Sequence, residues 1–172
     1  MLSEKMQEAL NAQINAELMS AYLYLSMAAY FYDANFPGFA NWMRIQDHEE
    51  RIHAMKIYDY VVARNGRVRL LPLEGPKVEW QSPLDAFEDA YKHEQKVTGL
   101  ISKLVDLAVS EGDHATDSFL KWFVDEQVEE EASVDAIVQD LRRAGDSAQI
   151  LFMLDRELGG RQAEEEGSGE DE

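Results

Sequence analysis

Apolar residues recur at three- and four-residue steps through five stretches of this chain, and the breaks between stretches fall at Gly, Pro and Asn. Ser3 caps the first stretch, in which Met6, Leu10, Ile14, Leu18, Ala21, Leu25 and Ala28 line one face of a helix predicted to run to about Asp33. Its second half, LMSAYLYLSMAAYFY, is apolar nearly all round, whereas a helix in a lone bundle buries only one stripe, so a subunit interface is expected on the remainder. Pro37 opens a second helix that continues to Arg64 or Asn65, where Gly66 ends it. Ser82 and Pro83 open a third, which reaches Glu111 despite Gly99 inside it. Gly112 and Asp113 separate it from a fourth, which ends at Ala144 before Gly145. A last short helix starts near Asp146, carries Ile150, Leu151, Phe152, Leu154 and Leu158, and is too short to stand without docking.

The connections decide the topology. Between the first and second helices, and between the third and fourth, the turns are short, so those pairs are antiparallel. Residues 66–82 are broken by Gly66, Pro72, Gly75 and Pro76. Extended, they cover roughly 50 Å, enough to travel the roughly 42 Å of a 28-residue helix. The pattern predicts an all-α fold, a left-handed four-helix bundle with one long crossover connection and a short fifth C-terminal helix over residues 1–158. From Gly159 the chain reads GGRQAEEEGSGEDE, without apolar periodicity, and residues 159–172 are expected to form an acidic disordered tail.

Charge narrows the partners. Acidic residues outnumber basic ones 34 to 16, a net charge of −18, and the body stays strongly acidic without the tail. Such a surface concentrates cations and speaks against nucleic acid or an anionic membrane as partner. With no cysteine, any metal must be held by oxygen and imidazole. No secretory signal or membrane span is visible, so the cytoplasm is the expected location.

The candidate chemistry lies at one level of the bundle. Glu17 falls near the middle of the first helix, Glu50 and His53 near the middle of the second, Glu94 near the middle of the third, and Gln127 with Glu130 near the middle of the fourth. In antiparallel helices of similar length the midpoints coincide, so each helix delivers an acidic group to one place. Glu50 and His53, three apart, project from one helix face as two ligands for one metal would. Glu49, Glu126 and Glu129 each precede one of these residues and should lie beside the site. Carboxylates gathered at close range repel more as water is excluded, and a bound cation removes that cost. Oxygen donors with one imidazole suit iron or manganese. A carboxylate shared by two such metals, with Glu50 the best candidate, holds them about 3.5 to 4 Å apart. Tyr24, two turns after Glu17, reads first as a core tyrosine and second as a neighbour of the site. His48, His93 and His114 complete no ligand set and read as surface or structural residues.

On the stretches NAQINAELMSAYLYLSMA, HEERIHAMK, YKHEQ and FLKWFVDEQVEEE, the chain resembles the non-haem ferritins of bacteria and archaea from residue 2 to about 158. The resemblance implies a ferritin-like bundle and a ferroxidase that oxidises Fe(II) with oxygen or peroxide and stores ferric mineral in a cage of 24 identical subunits. It implies that Glu17, Glu50 and His53 ligate the first iron, and that Glu50 bridges to a second held by Glu94 and Glu130. Gln127 becomes a neutral residue of the second site. Glu49, Glu126 and Glu129 become a weaker third iron site, and Tyr24 an electron donor. Haem is not expected, because Arg51 follows Glu50 where haem-binding relatives carry Met, and no histidine lies near Gln127 and Glu130. The competing readings are a di-iron oxidase acting on another substrate and a metal-free acidic scaffold.

Overall fold

The computed structural model describes residues 2–163, and the expected tail from 164 onward lies outside the described residues. Five helices appear among them: α1 (Glu4–Asp33), α2 (Pro37–Ala63), α3 (Pro83–Glu111), α4 (His114–Ala144) and α5 (Ala148–Leu158). Side-chain caps fix most starts. The Ser3, Ser82 and Asp113 side chains accept from the backbone N–H of Met6, Asp85 and Thr116 at 3.0, 3.1 and 3.1 Å, each satisfying a donor that the first turn leaves over. Two boundaries differ from expectation in detail. Ser147 caps α5, one residue after the expected start near Asp146. Asn65, at φ 58, takes the left-handed position after α2 that Gly66 was expected to supply, because Asn tolerates that conformation.

The start of α2 has a different solution. Phe36, at its N-cap, offers no side-chain acceptor, and Asp155 of α5 supplies one instead: its Oδ1 accepts from the Phe39 N–H at 2.9 Å. Gly38 makes that approach possible, since a Cβ there would stand 1.6 Å from the Asp155 carbonyl oxygen. The short helix is thus docked by capping another helix, with Leu151, Leu154 and Leu158 against the core.

The crossover runs as an extended strap along α1. Near one end Gln7 and Asn11 side-chain oxygens accept from the Arg67 and Arg69 N–H groups at 2.8 and 2.7 Å. Further along, the Ser26 hydroxyl donates to the Lys77 carbonyl at 2.7 Å, and Trp80 packs on Tyr30 with ring centroids 5.4 Å apart.

Two apolar cores fill the bundle, one around Phe31, Phe39, Trp42 and Phe87, the other around Leu10, Ile57, Ile101 and Leu120. Between them in sequence on every long helix falls the group of buried polar residues: Glu17, Gln46, Glu50, His53, Glu94, Gln127 and Glu130. The fold therefore sandwiches a polar layer between two dry halves, at the level where the helix midpoints meet.

Gly99 lies inside α3, exposed, with nothing within 4 Å of an added Cβ. Replacing it with Ala removes a backbone-entropy cost without a clash. Gly99→Ala should raise stability by about 0.5–1 kcal/mol, read as a higher denaturant midpoint at unchanged helical content. A lower midpoint would contradict the open surroundings of Gly99.

Candidate metal centre

Each long helix places its acidic residue in the same buried layer because its apolar stripe turns that face inward. Glu17, Glu50 and Glu94 are at most 1% exposed, and His53, Gln127 and Glu130 at most 6%. Single ligand atoms of Glu17, Glu50 and His53 lie within 4.8 Å of one another, and so do those of His53, Glu126 and Glu130. His53 stands between the groups, with Nδ1 3.6 Å from Glu50 Oε2 and Nε2 3.9 Å from Glu126 Oε1. Its ring is walled by Trp122 and Phe123 at centroid distances of 5.3 and 6.2 Å. Glu94 is tied into the same layer from the other side. The Tyr24 hydroxyl donates to its Oε1, and the Gln127 amide donates to its Oε2 at 3.2 Å.

The hydrogen bonds are selective about which oxygens they use. The Gln13 amide donates to Glu17 Oε1 at 2.8 Å, while Glu17 Oε2 is buried without a hydrogen-bond partner. The Gln46 amide donates to Glu130 Oε2 at 2.8 Å. Both Glu50 oxygens are buried and unpartnered. Unsatisfied buried carboxylate oxygens are expensive, and three of them converging beside an imidazole are the donor set a cation would complete.

The electrostatics tell the same story. Burial pushes Glu17 up to about 7, with the neighbouring Glu50 carboxyl and the Gln13 amide opposing the rise and repulsion from Glu94 adding to it. Burial and then the charge of Glu94 push Glu130 up to about 8. Glu50 is raised well above the usual carboxylate range by burial first and by Glu94, Glu17 and Glu130 after it. Burial also lowers His53 to about 4, which keeps the imidazole neutral and its lone pair free for a metal. Tyr24, raised far above its ordinary value by burial and the surrounding carboxylates, stays a phenol.

Of the residues singled out from sequence, Glu17, Glu50, His53, Glu94, Gln127 and Glu130 all reach the buried layer. Tyr24 touches it through Glu94. Glu126, grouped in sequence with Glu49 and Glu129, stands closer to His53 and Glu130 than the one-position offset suggested. Glu49 is paired with Arg161 at 2.8 Å, and Glu129 is exposed. His93, expected to be surface or structural, accepts or donates a 2.7 Å hydrogen bond with Ser20 and packs edge-on to Tyr24. Gln13 and Gln46 escaped the sequence reading. The available signal was their place one helical turn before Glu17 and Glu50, as amides on faces that are otherwise apolar.

The family described as Ferritin-like domain matches residues 7–144. A bacterial non-heme ferritin of Bacteroides fragilis is 45% identical over 161 residues, which is 94% of this chain and all of that one. Another, from Staphylococcus haemolyticus, is 43% identical over 166 residues, 96% of this chain and all of that one. Among solved structures, an open pore ferritin from the hyperthermophilic archaeon Archaeoglobus fulgidus superposes with a TM-score of 0.94 at 56% identity, covering 94% of this chain and 100% of its own. A humanized archaeal ferritin superposes with a TM-score of 0.95 at 54% identity, over 96% and 100%.

The raised carboxylates set a pH dependence. In the metal-free fold Glu17 and Glu130 keep protons that the unfolded chain, with ordinary carboxylates, has already lost. Their contribution is therefore favourable at low pH and disappears as pH rises through about 7 to 8. The metal-free protein should lose melting temperature between pH 6 and 8. Divalent metal should abolish that loss and release about one to two protons per chain near pH 7, measurable with an indicator dye. A metal-free melting temperature that rises over the same interval would contradict the buried, protonated carboxylates.

Proposed function

The chain belongs to the ferritin family, and from that premise we propose that it is an iron-storing ferroxidase whose two-iron centre is built from Glu17, Glu50, His53, Glu94 and Glu130. One observation supports this reading above others: four helices bring carboxylates into one desolvated layer, with Glu17 Oε2 and both oxygens of Glu50 left without partners. Iron is substrate and cargo here. Glu17, Glu50 and His53 take the first ion, and Glu50, with its two available oxygens, bridges to a second that Glu94 and Glu130 hold. Each Fe(II) gives up one electron to oxygen or peroxide, and the ferric product leaves for storage. What the protein supplies is ligand geometry, neutralising charge and exclusion of water.

The two halves of the centre are unequal. The first has an imidazole, while across it the fourth helix presents Gln127, a neutral amide that holds Glu94. A second iron without a histidine, facing an amide where a further strong donor could stand, exchanges more readily, which suits a cargo more than a permanent cofactor. Glu49, Glu126 and Glu129 form the weaker third position on the flank. Tyr24 can supply an electron, and because burial keeps it a phenol, its proton would leave with the electron to Glu94 Oε1, which already accepts its hydrogen bond. No haem is needed for this scheme.

Storage requires a container, and the exposed apolar residues agree with a homo-oligomeric cage of 24 subunits. Tyr22 and Tyr32 of α1, Leu70, Leu71 and Val78 of the crossover, and Phe152 and Met153 of α5 all face outward from the single chain. No helix among the described residues is long and apolar enough to cross a membrane.

Metal-free protein given Fe(II) in air should oxidise many irons per chain and keep the product soluble. Uptake that halts at two irons per chain would favour a di-iron oxidase with another substrate, and oxidation no faster than buffer would favour a scaffold. Glu50→Ala should slow the initial oxidation by about 100-fold or more while sparing assembly, because it removes a ligand of both ions. Unchanged initial rates would refute its bridging role.

A further inference from the structure

We propose that Arg161 is a tethered cation that competes with metal for Glu49, and that it thereby keeps the flank of the iron centre a place of weak, transient binding. The inference rests on the proposed centre and concerns a residue outside it. The docking of α5 carries residues 159–161 onto α2: Asp155 caps the helix through Phe39, and Gly159 approaches so closely that its Cβ would lie 3.2 Å from the Gly38 Cα. The Asn41 amide then donates to the Arg161 carbonyl at 3.1 Å, which fixes the backbone. From there the side chain crosses the face of Trp42, with its guanidinium carbon 4.7 Å from the ring centroid, and Nη2 donates to Glu49 Oε2 at 2.8 Å.

This differs from an ordinary surface ion pair. The guanidinium is about one quarter exposed, and its Nη1 is buried without an acceptor among the described residues. Partly buried over Trp42, the charge is held against Glu49 and not left to sample open solvent. A guanidinium stacks on aromatic faces and presents a planar fork of donors to a carboxylate, so Trp42 and Glu49 hold it together. Being tethered, it sits at high effective concentration. A metal ion arriving at Glu49 has to displace it, and leaves again when it returns. Arg161 is thus a positioning residue for iron in transit and not a catalytic one.

Anaerobic calorimetric titration of the full-length metal-free protein with Fe(II) tests this. Arg161→Gln should leave the two tight irons per chain unchanged and tighten a third by about three- to tenfold. Arg161→Lys, which restores charge without the planar fork, should return the third affinity most of the way to wild type. If Arg161→Gln leaves the third affinity unchanged while two irons still bind tightly, competition is overturned. If Lys behaves as Gln does, the effect comes from lost packing on Trp42, which overturns it as well. Failure of the wild type to bind two irons tightly would instead remove the proposed centre, and this inference with it.

Discussion

The rest of the structure depends on one costly arrangement, a layer of carboxylates held out of water between two apolar cores. Glu17, Glu50, Glu94 and Glu130 come from four helices and meet where water cannot screen them. Without metal they lower the cost only by keeping protons, which is why their pKa values rise. A fold that optimised stability alone would fill this layer with leucine. Under the proposed function metal binding is what this cost serves, and the long apolar stripes on either side provide the stability it subtracts.

Around that layer, neutral donors hold the acids in place without quenching them. Gln13 holds one oxygen of Glu17, Gln46 one of Glu130, and Tyr24 with Gln127 both of Glu94. Glu50 is bound by none of them and keeps both oxygens available. This division follows the logic of metal sites, where surrounding hydrogen bonds set ligand orientation. On the flank the cation is supplied by the chain itself, through Arg161. The buried centre and its acidic flank therefore balance charge differently, the first with protons or metal, the second with a fixed guanidinium.

Much of this was legible in the sequence because it depends on local periodicity. Caps at Ser3, Ser82 and Asp113, the break at Pro37, and the equal lengths of four helices were enough to place Glu17, Glu50, His53, Glu94, Gln127 and Glu130 at one level. What escaped depends on contacts between residues far apart in the chain. Nothing near Phe36 announces that Asp155, more than a hundred residues away, will cap α2, or that Gly38 exists to admit it. Gln46 looks like any helical glutamine until α4 brings Glu130 to it. The boundary expected after Leu158 is where α5 ends, yet compositional bias toward Gly and Glu hid that Arg161, three residues on, reaches Glu49.

The central claim is that Glu50 is shared by two irons in the buried layer. Crystals of the protein soaked anaerobically with Fe(II), with anomalous diffraction recorded at the iron edge, test it most directly. The account predicts two peaks per chain about 3.5 to 4 Å apart, one beside Glu17 and His53, the other beside Glu94 and Glu130, with Glu50 touching both. A single buried peak, or iron found only among the exposed acids of α4, would contradict it.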